Sequence, residues 1–210
     1  QLQSVFGTAQ VGYQDKVFLD LTARNDWAST LAYTSHEKSG FFYPSAGLSF
    51  LIDKWIQLPE WISFAKLRGT YSKVGNDIPQ FITNSVSHIT AGGELQANDA
   101  APFKEMEPEM THSVEVGTEW RFFQSRLGFN LTYYRTNTHN QFFKLPALAG
   151  DMYAYRYVNA GDIQNRGWEL TVDATPVLTP DFTWKTSLNF SSNRNKIKEL
   201  HEELKELVYG

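Results

Sequence analysis

The chain has no cysteine, which excludes disulfide frameworks, thiolate metal centres and cysteine nucleophiles. It also lacks any run of about 18 apolar residues, so no transmembrane helix is written into it. A basic excess is missing too: net charge is −4 and the sequence pI about 5.7, which leaves no cationic footprint for nucleic acid. Constellations that carry chemistry are equally scarce. "HEELK" (201–205) has a lysine where a helical zinc motif needs its second histidine. His36, His88, His112 and His139 stand singly in the sequence, without ligand spacing. "AGG" (91–93) lacks the spacing of a phosphate-binding loop. No catalytic residue, metal ligand or cofactor is therefore assigned.

Aromatic residues, by contrast, are abundant at 15% of the chain, and the apolar residues recur with period two. In "KVFLDLTARND" (16–26), Val17, Leu19, Leu21 and Ala23 alternate with Phe18, Asp20, Thr22, Arg24 and Asp26. Successive strand side chains point to opposite faces, so this segment has one aliphatic and one charged face. Seven further segments behave alike: 4–13, 41–52, 63–73, 111–121, 127–137, 166–175 and 182–192. All exceed the ~5–6 residues usual for a globular strand. The opening "QLQSVFGTAQVGY" already alternates and has no initiator Met, as expected of a chain that starts inside a domain.

The links between these segments alternate short and long. Gln14–Asp15, 122–126 and 176–181 are short, 53–62 is of medium length, and 27–40, 74–110 and 138–165 are long. Outer-membrane barrels pair short periplasmic turns with longer extracellular loops in this way. Aromatics flank both kinds of link, as the two interfacial girdles of a barrel require. Trp55, Trp61, Trp120, Phe122, Phe123, Phe182 and Trp184 adjoin the shorter ones; Phe41, Phe42, Tyr71, Tyr133, Tyr134, Phe142 and Phe143 lie toward the longer. The fold class is thus all-β, an antiparallel transmembrane barrel wall. Two alternatives share the pattern: a soluble carbohydrate-binding β-sandwich with its aliphatic faces in a core, and a self-contained eight-stranded barrel.

If the aliphatic faces meet lipid, the opposite parity must face water, since ionised groups are costly in hydrocarbon. That assigns Asp20, Arg24, Lys66, Arg68, Glu115, Glu119, Arg121, Glu169, Asp173 and Lys185 to the lumen. Glu115 and Glu119 lie four strand residues, about 13 Å, apart. That exceeds the roughly 5–9.5 Å of a glycosidase pair, so they line a wet interior instead. In the tail "KIKELHEELKELVYG", Ile197, Leu200, Leu204 and Leu207 fall at helical spacing and predict a short amphipathic helix.

Five stretches in order carry a family resemblance: "LTARNDWASTL" (21–31), "FFYPSAGLSFLIDKW" (41–55), "AKLRGTYSKVGND" (65–77), "MEPEMTHSVEVGTEWRFFQSRLGFNLTYYRTNTHNQFF" (106–143) and "NAGDIQNRGWELTVDATPV" (159–177). Together the sequence resembles the barrel of SusC/RagA-like TonB-linked outer-membrane transporters. The resemblance implies that residues 1–210 are part of a TonB-dependent receptor barrel domain, about eight strands of a barrel of about 22 whose plug and N-terminal regions lie elsewhere. It implies a Gram-negative outer-membrane location and import of glycans or peptides. It also implies a SusD-like surface lipoprotein as lid and a TonB complex acting through the plug. In that setting the aromatic loop "DMYAYRYVNAGD" (151–162) suits stacking on sugar rings or packing against the lid. Tyr153, Tyr155, Arg156 and Tyr157 are the candidate contacts.

Overall fold

Eight long strands form one antiparallel sheet in the computed structural model, which describes residues 2–31, 34–35, 40–76, 87–96, 99–103, 105–147, 150–159 and 161–199. The strands are β1 (Leu2–Tyr13), β2 (Val17–Ala28), β3 (Phe41–Leu51), β4 (Ile62–Asn76), β7 (Glu109–Phe122), β8 (Leu127–His139), β11 (Asp162–Leu178) and β12 (Thr183–Glu199). Two short hairpins, β5 (His88–Ile89) with β6 (Leu95–Gln96) and β9 (Phe142–Pro146) with β10 (Tyr155–Asn159), stand apart from it. Every long segment expected from the alternation is present, most of them longer than expected. The hairpins inside the long links are additions that no periodicity announced.

Strand order is β1-β2-β3-β4-β7-β8-β11-β12, so each strand lies beside its neighbour in sequence. Such a meander follows from the short turns. Gln14 and Asp15 both adopt φ of 51°, the left-handed pair of a tight hairpin whose twist matches its strands. Phe123, Gln124 and Ser125 carry φ of 54°, 56° and 65° at the β7–β8 turn.

Register ties the apolar parities into one continuous face, because directly opposed residues point to the same side. One row runs Tyr13, Val17, Phe50, Leu67, Thr118, Leu131, Leu170, Phe190. A neighbouring row runs Val11, Leu19, Leu48, Gly69, Val116, Tyr133, Trp168, Ser192. Nothing covers this face among the described residues: Leu48 is 50% exposed, Leu67 46%, Val116 49% and Leu188 67%. Among the described residues the buried hydrophobics are Ala65, Met106 and Leu145, too few to form a core that receives the aliphatic side.

Both soluble and self-closed alternatives fail on this geometry. A sandwich needs a second sheet about 10 Å away, and the other described sheets are two-stranded hairpins. A closed eight-stranded barrel needs β1 paired with β12, yet these are the two edges, exposed along their whole length. The helix expected in the tail is also corrected. Lys196–Glu199 continue β12 because their backbones are claimed by the β11 ladder, with Lys196 opposite Gln164 and Glu199 opposite Asp162. The remainder of that stretch, and with it "HEELK", lies outside the described residues.

Rings mark the short-turn edge. Phe50 stacks on Trp55 at 5.3 Å and Trp61 on Phe122 at 5.6 Å; Phe122 continues to Phe129 at 5.9 Å and Trp120 at 6.4 Å. Toward the long loops, Trp27, Phe42, Tyr71, Tyr133 and Trp168 share the apolar face. Tyr134 does not belong with them, since it pairs with Glu115 and Gly167 on the polar side. Phe41 and Phe142 leave the girdle as well and pack around buried Met106 with Ala28 and Phe103. On β3, Phe50 and Phe42 are eight residues apart, about 27 Å of strand. At a tilt near 40° that spans about 21 Å of height, on the scale of the ~25 Å apolar band of a barrel.

Candidate functional site

All ten charged residues assigned to the lumen from sequence lie on one side of the sheet, opposite the aliphatic face. Asp20 opposes Gln10 and Gly47, Lys66 opposes Glu119, Glu169 opposes Thr132, and Asp173 opposes Gly128. Lys185 follows the same parity two residues before Ser187, the partner of Asp173. Glycine and small residues alternate with these long side chains, so each long chain lies across its neighbour. Arg68 is the clearest case. It crosses β7 over Gly117 to donate to Thr132 Oγ1 at 2.7 Å and Asn130 Oδ1 at 3.3 Å on β8. A Cβ at Gly117 would stand 2.8 Å from Arg68 Nε, which is why that strand position carries none.

Other charges are neutralised locally. Arg121 donates to Glu119 at 2.8 Å and lies 5.4 Å over the Phe64 ring. Arg24 donates to Asp26 at 2.6 Å and to Ser4 Oγ at 3.0 Å, and Asp20 accepts from Gln10 Nε2 at 2.6 Å. Glu115 faces Thr70 and Tyr134 across the ladder.

A cleft of about 460 Å³ opens on this side near the long-loop end, lined by Arg24, Asp26, Tyr43, Asn76 and Pro108 among others. It exists because the β3–β4 ladder stops at Ser45 opposite Ser72, while β3 continues to Phe41 and β4 to Asn76. Tyr43 fills the parted strands: a Cβ at Gly75 would collide with its ring and hydroxyl. Sequence reasoning passed over both residues, although an isolated glycine within a strand pattern signals such an approach. Gly75→Ala is expected to eject the Tyr43 ring and cost about 1–3 kcal/mol. Adding Tyr43→Ala should recover most of that loss, read by unfolding midpoints of the four variants of the cycle.

The loop candidates are placed on β10 and in the loop that joins it to β9. Tyr155 and Tyr157 share one side, with Lys144 Nζ 4.0 Å over the Tyr155 ring and Phe142 6.5 Å from Tyr157. Arg156 faces the other way, opposite buried Leu145. Tyr153 is half-buried in the loop joining β9 to β10. The hairpin is fastened to the β4–β7 link: Asp99 O accepts from Ala154 N at 2.8 Å and Tyr155 N at 2.9 Å, and Tyr155 O from Ala101 N at 2.8 Å. Asn159 Nδ2 then donates to Glu107 O and Asn140 O at 2.9 and 2.7 Å. The long links therefore fold together into a cap over the cleft side of the strands.

Two histidines that stand singly in the sequence meet in space. The His112 and His139 rings contact edge to face at 5.6 Å, with Tyr71 Oη 3.0 Å from His112 Nδ1 and Asp162 3.7 Å from His139. No group of three or more His, Asp or Glu able to hold a metal forms among the described residues.

A single sheet that exposes a banded apolar face, charges the other and bears aromatic girdles defines a segment of transmembrane β-barrel wall. The family model "TonB dependent receptor-like, beta-barrel" matches residues 1–200. The chain is 30% identical over 210 residues to TonB-dependent receptor P26 of Formosa agariphila, aligning 95% of this chain and 21% of that protein. It is 25% identical to TonB-dependent receptor SusC of Bacteroides thetaiotaomicron, again over 95% and 21%. Among solved structures, the RagAB peptide importer in its open-open state superposes with a TM-score of 0.83 at 23% identity, covering 96% of this chain and 22% of that one. The chain belongs to the TonB-dependent receptor β-barrel family of the outer membrane. It spans about a fifth of the length of the curated relatives it matches.

Proposed function

We propose that this chain is a wall segment of an outer-membrane TonB-dependent importer of glycans or peptides. Its aliphatic face meets lipid, and its charged face lines the lumen and docks a plug held elsewhere in the protein. Strands of that protein continue the sheet from the open edges β1 and β12. One observation carries this reading: across eight strands an exposed apolar face backs a face of polar and charged residues. Only a sheet that separates lipid from water satisfies both. The segment works without bond-making chemistry of its own, since Glu115 and Glu119 are too far apart for a carboxylate pair and Glu119 is already engaged by Arg121.

Likeness to these relatives supports the partners. SusC and the RagAB importer suggest a SusD-like surface lipoprotein over the long loops and energy relayed by TonB through the plug. Tyr155 and Tyr157 present neighbouring rings beside Lys144 at the rim, a surface suited to sugar rings or peptide side chains. In the full-length protein, Tyr155→Ala with Tyr157→Ala is expected to weaken substrate capture about tenfold, at about 0.5–1.5 kcal/mol per ring contact. Oligosaccharide and oligopeptide uptake by cells relying on each distinguishes the substrate class. Unchanged uptake of both, at normal barrel levels, contradicts the rim assignment.

A further inference from the structure

On β4, β7, β8, β11 and β12 the apolar face is free of charge from the short-turn edge upward, and the first charged or histidine side chain met on each of these five strands is basic. On β4, two residues beyond Tyr71, it is Lys73. On β7, two beyond Val114, it is His112. On β8, beyond Tyr133, it is Arg135; on β11, beyond Trp168, Arg166; on β12, beyond Ser192, Arg194. Lys196 follows one step higher, opposite Gln164. Arg135, Arg166 and Arg194 stand directly opposite one another across three adjacent strands, and all three are exposed. Like charges set opposite each other destabilise a sheet, so such a row needs counter-charge.

The described residues supply little. The described acids on that side are Asp162 and Glu199 at the long-loop end, where Asp162 accepts from Asn137 at 3.2 Å and faces His139. Arg135 is steadied by neutral groups, its Nε and Nη2 lying 2.7 and 2.8 Å from the Gln164 amide oxygen once that amide is turned toward it. Arg166 and Arg194 have no hydrogen-bond or ion-pair partner among the described residues. Instead they flank a shallow cleft of about 240 Å³ with Gly167 and Ser192, floored by Tyr133 and Trp168, whose rings meet at 4.8 Å.

We propose that this row binds the phosphate groups of an anionic outer-leaflet lipid headgroup, the guanidinium forks taking the phosphate while the acyl chains lie down the apolar face. Planar forks match phosphate oxygens in pairs. The row sits immediately outside the aromatic girdle, at the depth where headgroup phosphates begin, and charge there attracts anionic lipid. The site anchors this stretch of wall and fixes its height in the bilayer. It rests on the assignment of the aliphatic face to lipid.

The test uses the full-length protein in detergent, with diphosphorylated lipid A, the same lipid without phosphate, and inorganic phosphate as probes, read by native mass spectrometry. Arg166→Gln with Arg194→Gln is expected to retain diphosphorylated lipid A about 30-fold less well, equivalent to about 1 kcal/mol for each charge removed. Lys185→Gln, on the other face, should change nothing. If the Gln pair fails to fold, Arg166→Lys with Arg194→Lys keeps charge but loses the fork, and should retain the lipid at an intermediate level. Equal retention by all variants, equal retention of the dephosphorylated lipid, or binding of inorganic phosphate as tight as lipid A overturns the proposal. So does a two-copy assembly that the Gln pair splits. A spin label at Leu170→Cys separates the two readings. If oxygen dissolved in lipid reaches it but lipid A retention is insensitive to the arginines, only the headgroup site falls.

Discussion

Leu21→Arg destabilises the barrel in a bilayer by about 2–4 kcal/mol, the depth-dependent penalty for a guanidinium at the lipid face of an outer-membrane strand. Leu21 lies between Ala9 and Ala46 in its row and is 41% exposed, with no polar group across either ladder to receive the charge. One residue away the expectation reverses. Asp20→Asn keeps an oxygen that accepts from Gln10 Nε2, now 2.6 Å from the carboxylate, and should stay within about 0.5 kcal/mol of the parent. Denaturant unfolding in lipid vesicles reads both. Equal penalties at the two positions would mean that the faces are misassigned.

Gly167→Ala carries the second large effect, for a reason confined to the polar side. A Cβ there runs into the backbone carbonyl of Ser192 on β12 and stands 2.7 Å from the Tyr134 hydroxyl, which lies across the strand. Backbone cannot rotate aside as a flexible side chain does, so the change must push β12 away from β11. The expected cost is about 2–3 kcal/mol despite the entropy that alanine saves over glycine. Tyr134→Ala should not rescue it, in contrast to the Tyr43 partner of Gly75, because the Ser192 carbonyl remains. Rescue by Tyr134→Ala would show that the side chain and not the ladder is the obstacle.

The strands were legible because each face of this sheet meets one solvent along its whole length, so parity survives from Val5 to Phe190. The link lengths were legible too, since each long strand pairs with its neighbour in sequence and every link only joins adjacent strands. What the sequence hid depends on register. Arg135, Arg166 and Arg194 are scattered in the chain and form a row only once β8, β11 and β12 are aligned. His112 and His139 meet for the same reason. Tyr134 looked like a girdle ring because it adjoins Tyr133, but adjacent strand residues point apart. The cluster around Met106 is built from contacts between distant links, for which local periodicity carries no signal, and the strands of the β5–β6 and β9–β10 hairpins, two and five residues long, are too short to show one. In the tail, Lys196, Ile197 and Glu199 extend a ladder already running, each paired on β11; the rest of that spacing lies outside the described residues.

The most direct measurement is a cysteine scan of residues 17–24, made simple by a segment with no cysteine of its own. Spin labels along β2 in the membrane-embedded full-length protein should alternate: oxygen-accessible and nickel-shielded at Val17, Leu19, Leu21 and Ala23, the reverse at Phe18, Asp20, Thr22 and Arg24. Labels at 17, 19 and 21 that are shielded from both reagents, or that favour the aqueous one, would contradict the account.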